Sequence, residues 1–92
     1  MSFELDQPWR VHPRVAVRPE RFGALLYHFE TRKLSFLKTP QLLAVVQRLA
    51  DAPTARTACV DAGVSAEALP GVTAALDTLA RSQMIVRAQE ER

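Results

Sequence analysis

Phe22-Gly23-Ala24-Leu25-Leu26-Tyr27-His28-Phe29, then Glu30-Thr31-Arg32-Lys33, then Leu34-Ser35-Phe36-Leu37, then Lys38-Thr39-Pro40: the fold is decided in these nineteen residues. Two apolar runs divided by four polar residues read as an antiparallel hairpin, although no Asn-Gly pair fixes the type of turn. The first run is apolar at nearly every position, as expected of a strand covered on both faces. At Thr39-Pro40 the regime changes. A threonine hydroxyl can accept an orphan amide bond at a helix start, and proline at the first helical position has no amide to leave unpaired.

Upstream of the hairpin, Trp9, Val11, Pro13, Val15 and Val17 alternate with Arg10, His12, Arg14 and Arg18, so period two puts the two sets on opposite faces of one strand. Pro13 cannot donate to a ladder, which makes this an edge strand or one that begins after it, with residues 15–18 the secure part and Pro19-Glu20 its end. Residues 1–8 show no periodicity and read as a flexible arm, the domain proper running over 9–87 and a flexible polar tail over 88–92. Downstream of Pro40, Leu42, Leu43, Val45, Val46 and Leu49 give a first helix its buried stripe, ended by Asp51-Ala52-Pro53. Residues 54–62 read as a short second helix with Gly63 as its left-handed stop. A third, over about 70–82, carries Val72, Ala75, Leu76, Leu79 and Ala80 at i, i+3, i+4, i+7 and i+8. Met84, Ile85 and Val86 read as a short strand or as an extended tail packed on the core. The expected architecture is an α+β, winged-helix-like domain: a three-stranded antiparallel sheet followed by three helices.

Ninety-two residues allow one domain with one modest core. All six aromatics precede residue 37 and twelve of the fourteen alanines follow residue 40, so the front builds the sheet and the back builds slim helices. Residues 9–38 hold seven Arg or Lys against two Glu, whereas residues 39–92 hold five Arg against six acids. An acidic partner is therefore steered to the front. A single cysteine, acids in place of a basic leader near the start, and no long apolar run lead to the expectation of a cytoplasmic protein with no membrane partner.

The catalytic inventory is thin. Cys59 falls on the apolar face of the second helix with no basic residue to lower its pKa, and His12 and His28 have no readable metal-ligand spacing. No catalytic residue, no metal and no cofactor are expected, and an enzyme built on Cys59 and a histidine is disfavoured. Phe22, Tyr27, Phe29 and Phe36 read as core rather than as a base-stacking platform. A winged-helix DNA-binding protein is the alternative. Yet the third helix offers Thr73, Asp77, Thr78, Arg81 and Ser82 outward, one arginine beside a carboxylate that repels phosphate, so no nucleic-acid partner is expected. The short strand over 34–37, flanked by Arg32, Lys33 and Lys38, could instead recruit a peptide by strand addition, or its lysines could only guard the edge.

The run Val11-His12-Pro13-Arg14-Val15-Ala16-Val17-Arg18-Pro19-Glu20, with Phe22-Gly23-Ala24-Leu25-Leu26-Tyr27 and Thr31-Arg32-Lys33-Leu34-Ser35-Phe36-Leu37, closely resembles the mycofactocin peptide chaperones, stand-alone members of the PqqD-like precursor-recognition domains. The resemblance spans about residues 9–86. It implies a non-catalytic domain that binds the leader of a ribosomally made precursor peptide and presents it to a radical S-adenosylmethionine maturase. It also implies where the leader lies: beside Arg32, Lys33, Leu34, Ser35, Phe36 and Leu37, in a groove against Val72, Ala75, Leu76 and Leu79. A proline at Ser35 is then expected to weaken binding. Arg10, Arg14 and Arg18 are the candidates for a maturase-facing surface, and the open edge leaves both monomer and homodimer possible.

Overall fold

The computed structural model describes residues 3–88. Five strands and three helices follow one another: β1 (Trp9–Val11), β2 (Val15–Glu20), β3 (Gly23–His28), β4 (Leu34–Leu37), α1 (Pro40–Arg48), α2 (Ala55–Asp61), α3 (Leu69–Arg81) and β5 (Ile85–Arg87). β2, β3 and β4 form the expected three-stranded antiparallel meander, with β4 at an edge, and three helices follow it. The class is α+β.

The helix boundaries have local causes. Thr39 Oγ1 accepts the Leu42 amide at 3.0 Å with Pro40 in the first turn, and Thr54 Oγ1 accepts the Thr57 amide at 3.2 Å. α2 stops at Gly63, whose φ of 84° lets its amide reach the Val60 carbonyl and the Val64 amide reach the Cys59 carbonyl. α3 has no side-chain cap at its start. Its Leu76 and Leu79 meet Ala24, Leu26, Leu37, Val45, Val46 and Leu49 in one core cluster, which all three helices and one face of the sheet supply.

Three sequence expectations are corrected. The long first strand is two. Pro13 has no amide, the His12 carbonyl accepts the Val15 amide across a turn, and the piece before the break leaves the meander to pair antiparallel with β5, Val11 opposite Ile85. Pro19-Glu20 does not end β2, because Pro19 sits in an edge strand, where a missing amide is tolerated. The flexible arm is docked from Phe3 onward, residues 1–2 lying outside the described residues. Phe3 is in the core with its ring 4.4 Å from that of Trp9, and the Trp9 indole donates to the Glu4 carbonyl. The Leu5 and Gln7 carbonyls accept the Arg56 and Ala55 amides, two of the donors that the start of α2 would otherwise leave orphaned, and Asp6 pairs with Arg56 at 2.7 Å. At the other end the Ala88 amide donates to the Pro8 carbonyl; the tail expected over 89–92 lies outside the described residues.

The aromatics are placed differently too. In β3 the core side is taken by Ala24, Leu26 and His28, so Leu25 and Tyr27 face the other way, and the cross-strand register carries Leu34 and Phe36 with them. Phe22, Phe29 and Phe36 are exposed. Helices cover one side of the sheet only, and β3 is not covered on both faces as its composition suggested.

Candidate functional site

Between β4 and α3 runs a groove of about 520 Å³. Ser35, Phe36 and Leu37 form one wall with Lys38 and Thr39; Ala68, Gly71, Val72, Ala75, Thr78 and Leu79 form the other; Gln41 and Leu42 of α1 close the end. The helix wall is made of small residues at helical spacing. A Cβ built on Gly71 would meet no atom within 4 Å, so the groove is open there. Of the residues the resemblance implied, Ser35, Phe36, Leu37, Val72, Ala75 and Leu79 line this groove. Leu76 lies fully buried beneath it, and Arg32, Lys33 and Leu34 sit outside its walls, at the turn and on the far face of β4. Sequence reasoning missed Ala68, Gly71 and Thr78. They continue the Val72 and Ala75 stripe one position round the helix from the Leu76 stripe, a signal that alanine and glycine make faint.

The strand wall is also an open edge. The His28 amide donates to the Lys33 carbonyl at 3.0 Å. In an antiparallel ladder, hydrogen-bonded and non-hydrogen-bonded pairs alternate, so the next bonded pairs are Leu26 with Ser35 and Ala24 with Leu37. The main-chain donors and acceptors of Leu34 and Phe36 therefore point away from β3, along the mouth of the groove. At the opposite edge, β2 has Pro19 in the row. Gly23 brings β3 close to the end of β4: a Cβ there would lie 2.0 Å from the Leu37 carbonyl oxygen.

The remaining reactive side chains do not line the groove. Cys59 is buried, and burial pushes its thiol pKa up against a weaker pull from Arg56, the opposite of what a nucleophile needs. His12, His28 and Glu30 place one ligand-type atom each within 4.8 Å of one another. Their bonding is unsuited to a metal. His12 Nδ1 accepts the Arg14 amide at 3.0 Å, and His28 Nδ1 accepts the Glu30 and Thr31 amides, so each neutral ring carries its proton on Nε2, where a metal would need the lone pair. Arg14 approaches the Glu30 carboxylate at 3.7 Å. On α3, Arg81 is held by Asp77 at 3.0 Å, which leaves that helix no uncommitted base-reading cation. Nor do Arg10, Arg14 and Arg18 lie on one strand. They belong to β1, to the turn after it and to β2.

The histidine pair has a pH consequence. Desolvation, then the charge of His28, Arg10 and Arg14, holds His12 below the usual 6.5, Glu30 opposing. The unfolded chain thus takes up this proton more readily than the folded one. The stability contributed by neutral His12 is present above about pH 6.5 and is lost as pH falls from there through the folded-state value. Urea midpoints are expected to fall between pH 7 and pH 5, and His12→Asn, which keeps an acceptor for the Arg14 amide, flattens that slope. Equal slopes in both proteins would refute the assignment.

No helix among the described residues is long and apolar enough to cross a membrane. Comparison with known proteins places residues 8–86 within a family described as the peptide chaperone MftB family. The chain is 59% identical over 88 residues to the peptide chaperone MftB of Mycobacterium tuberculosis (strain ATCC 25618 / H37Rv), covering 96% of this chain and 81% of that one. It is 56% identical to the protein of that name from Mycobacterium ulcerans (strain Agy99), covering 92% and 78%. To the one from Mycolicibacterium smegmatis (strain ATCC 700084 / mc(2)155) it is 50% identical, covering 99% and 89%. No solved structure matches the chain.

Proposed function

The chain belongs to the MftB peptide chaperone family, and from that premise we propose that it binds the leader of the mycofactocin precursor peptide and delivers it to a radical S-adenosylmethionine maturase. The leader enters as a fourth strand on β4 and lays alternate side chains into the groove against α3. One observation carries this reading: the outward main-chain groups of Leu34 and Phe36 and the apolar groove lie side by side, so one extended peptide can use both. Lys38 stands at the groove, with Arg32 and Lys33 at the turn, which favours a leader with carboxylates flanking its paired segment. The chaperone contributes by concentrating the precursor at the enzyme, since a tethered second contact gains orders of magnitude in effective strength without new chemistry.

A synthetic leader peptide titrated into labelled protein is expected to shift amide signals of residues 34–37 and of α3, saturably. Gly71→Leu is the sharper probe. It removes a helical glycine, a change worth roughly 0.5–1 kcal/mol in favour of the helix, while its side chain fills the open part of the groove. The variant should melt no lower than the wild type yet bind leader roughly tenfold more weakly. Undiminished binding, or no saturable binding by the wild type, would sink the proposal.

A further inference from the structure

The side of the sheet turned away from the helices carries a second surface. Ala16, Tyr27 and Leu34 form one cross-strand row, and Arg18, Leu25 and Phe36 the next. Phe22 meets Phe36 edge-on at 6.3 Å at one end, and Phe29 meets Tyr27 edge-on at 5.2 Å at the other. Phe22, Phe29, Leu34 and Phe36 are 48%, 57%, 61% and 61% exposed, a concentration of large apolar side chains that marks an interaction site on a small domain. The rim is cationic. Glu20 and Glu30 are taken up by Arg18 and Arg14, whereas Arg21, Arg32, Lys33 and Lys38 have no ion-pair partner among the described residues.

We propose that this outer face docks the peptide-modifying enzyme, through an apolar surface of that enzyme ringed by carboxylates, while the groove on the helix side of β4 holds the peptide. The inference rests on the proposed function and adds to it the place and chemistry of the enzyme contact. Charge decides between occupants. A second copy related by a two-fold axis would bring one cationic rim against the other, like charges drawn together as water leaves. Nucleic acid is favoured by ring faces free to stack and by an unbroken cationic track. Here the rings are paired edge to face, and Glu20 and Glu30 stand among the cations. An acidic-rimmed protein surface satisfies the apolar patch and Arg21 together, and shares Arg32, Lys33 and Lys38 with the carboxylates of the leader.

The two partners would meet at β4. A peptide strand added to its edge projects every second side chain onto the outer face, beside Leu34 and Phe36, and so widens the surface the enzyme covers. Peptide and enzyme therefore strengthen each other's binding by the same factor.

The test uses the full chain, the purified radical S-adenosylmethionine maturase and a synthetic leader peptide in separate titrations. The double variant Phe22→Ser/Phe29→Ser, and Arg21→Glu alone, are expected to weaken maturase binding by about tenfold or more, as loss of central apolar and charged anchors does, and to leave leader affinity within about twofold. Maturase binding that is unchanged in the double variant would overturn the inference alone; its absence in the wild type would overturn the inference and the delivery step of the proposed function with it. A wild-type dimer made monomeric by the double variant, or binding of an RNA oligonucleotide that the variant loses while maturase binding stays, would also overturn the inference. Failure of the leader to bind wild type counts against the proposed function instead, because the maturase titration is read without peptide.

Discussion

Gly23→Ala is expected to cost about 3 kcal/mol of stability and to lower the thermal midpoint by roughly 12–24 °C. The added Cβ would lie 2.0 Å from the Leu37 carbonyl oxygen, 2.9 Å from its carbon and 3.0 Å from the Thr39 amide nitrogen. All three are main-chain atoms, which cannot swing aside as a side-chain end would. Removing a strand glycine gains less than about 1 kcal/mol in propensity, so the clash wins. The atoms that must move close β4 and cap α1, and Leu37 and Thr39 line the groove, so leader binding should weaken with stability. Urea and thermal melts read the first effect, and a leader titration at low temperature the second. A midpoint within 2 °C of the wild type would show that the β4 end yields freely, contrary to this account.

The second large effect separates a main-chain contact from a side-chain one. Phe36→Ala removes a ring from the exposed face of β4 but keeps the amide that points toward the open edge. Phe36→Pro removes both, at an edge position where proline breaks no ladder bond. A peptide carbonyl left without its donor costs roughly 1–3 kcal/mol, so the proline variant should bind leader about 10 to 100-fold more weakly than the alanine variant, at similar thermal stability. Equal affinities would rule out strand addition at this edge. The Ser35→Pro change suggested by the sequence is a poorer probe, because Ser35 belongs to a bonded pair with Leu26 and proline there attacks the sheet itself.

The meander and the helix starts were legible because local chemistry fixes them. The apolar runs on either side of Glu30-Thr31-Arg32-Lys33, Thr39-Pro40 and Gly63 each act within a few residues. The split of the first strand was half legible, since Pro13 marks the break but nothing near it says that Trp9 and Val11 will find Ile85 and Arg87. The docking of Phe3 and of the Leu5 and Gln7 carbonyls onto α2 is likewise a long-range event in a segment without periodicity. Facing was the hardest part. A run such as Ala24-Leu25-Leu26-Tyr27 is apolar on both sides, and composition does not tell which side the helices cover. The same ambiguity touches the groove: Ser35, Phe36 and Leu37 line it from the strand and Val72, Ala75 and Leu79 from the helix, whereas Arg32, Lys33, Leu34 and Leu76 do not. Leu76 has the strongest periodic signal because it is core, whereas Gly71 and Ala68, which shape the cleft, have almost none.

The pairing of β1 with β5 has a kinetic meaning. Val11 and Ile85 lie more than seventy residues apart, whereas β2, β3 and β4 are joined by turns of a few residues. Closing the long loop costs configurational entropy that no local contact repays, so the meander can organise early and the clasp between the two ends only late. Strengthening the clasp slows unfolding and leaves the folding rate nearly unchanged. The lifetime of the folded state is thus set by the pairing of Val11 with Ile85, and the order in which structure forms by the meander.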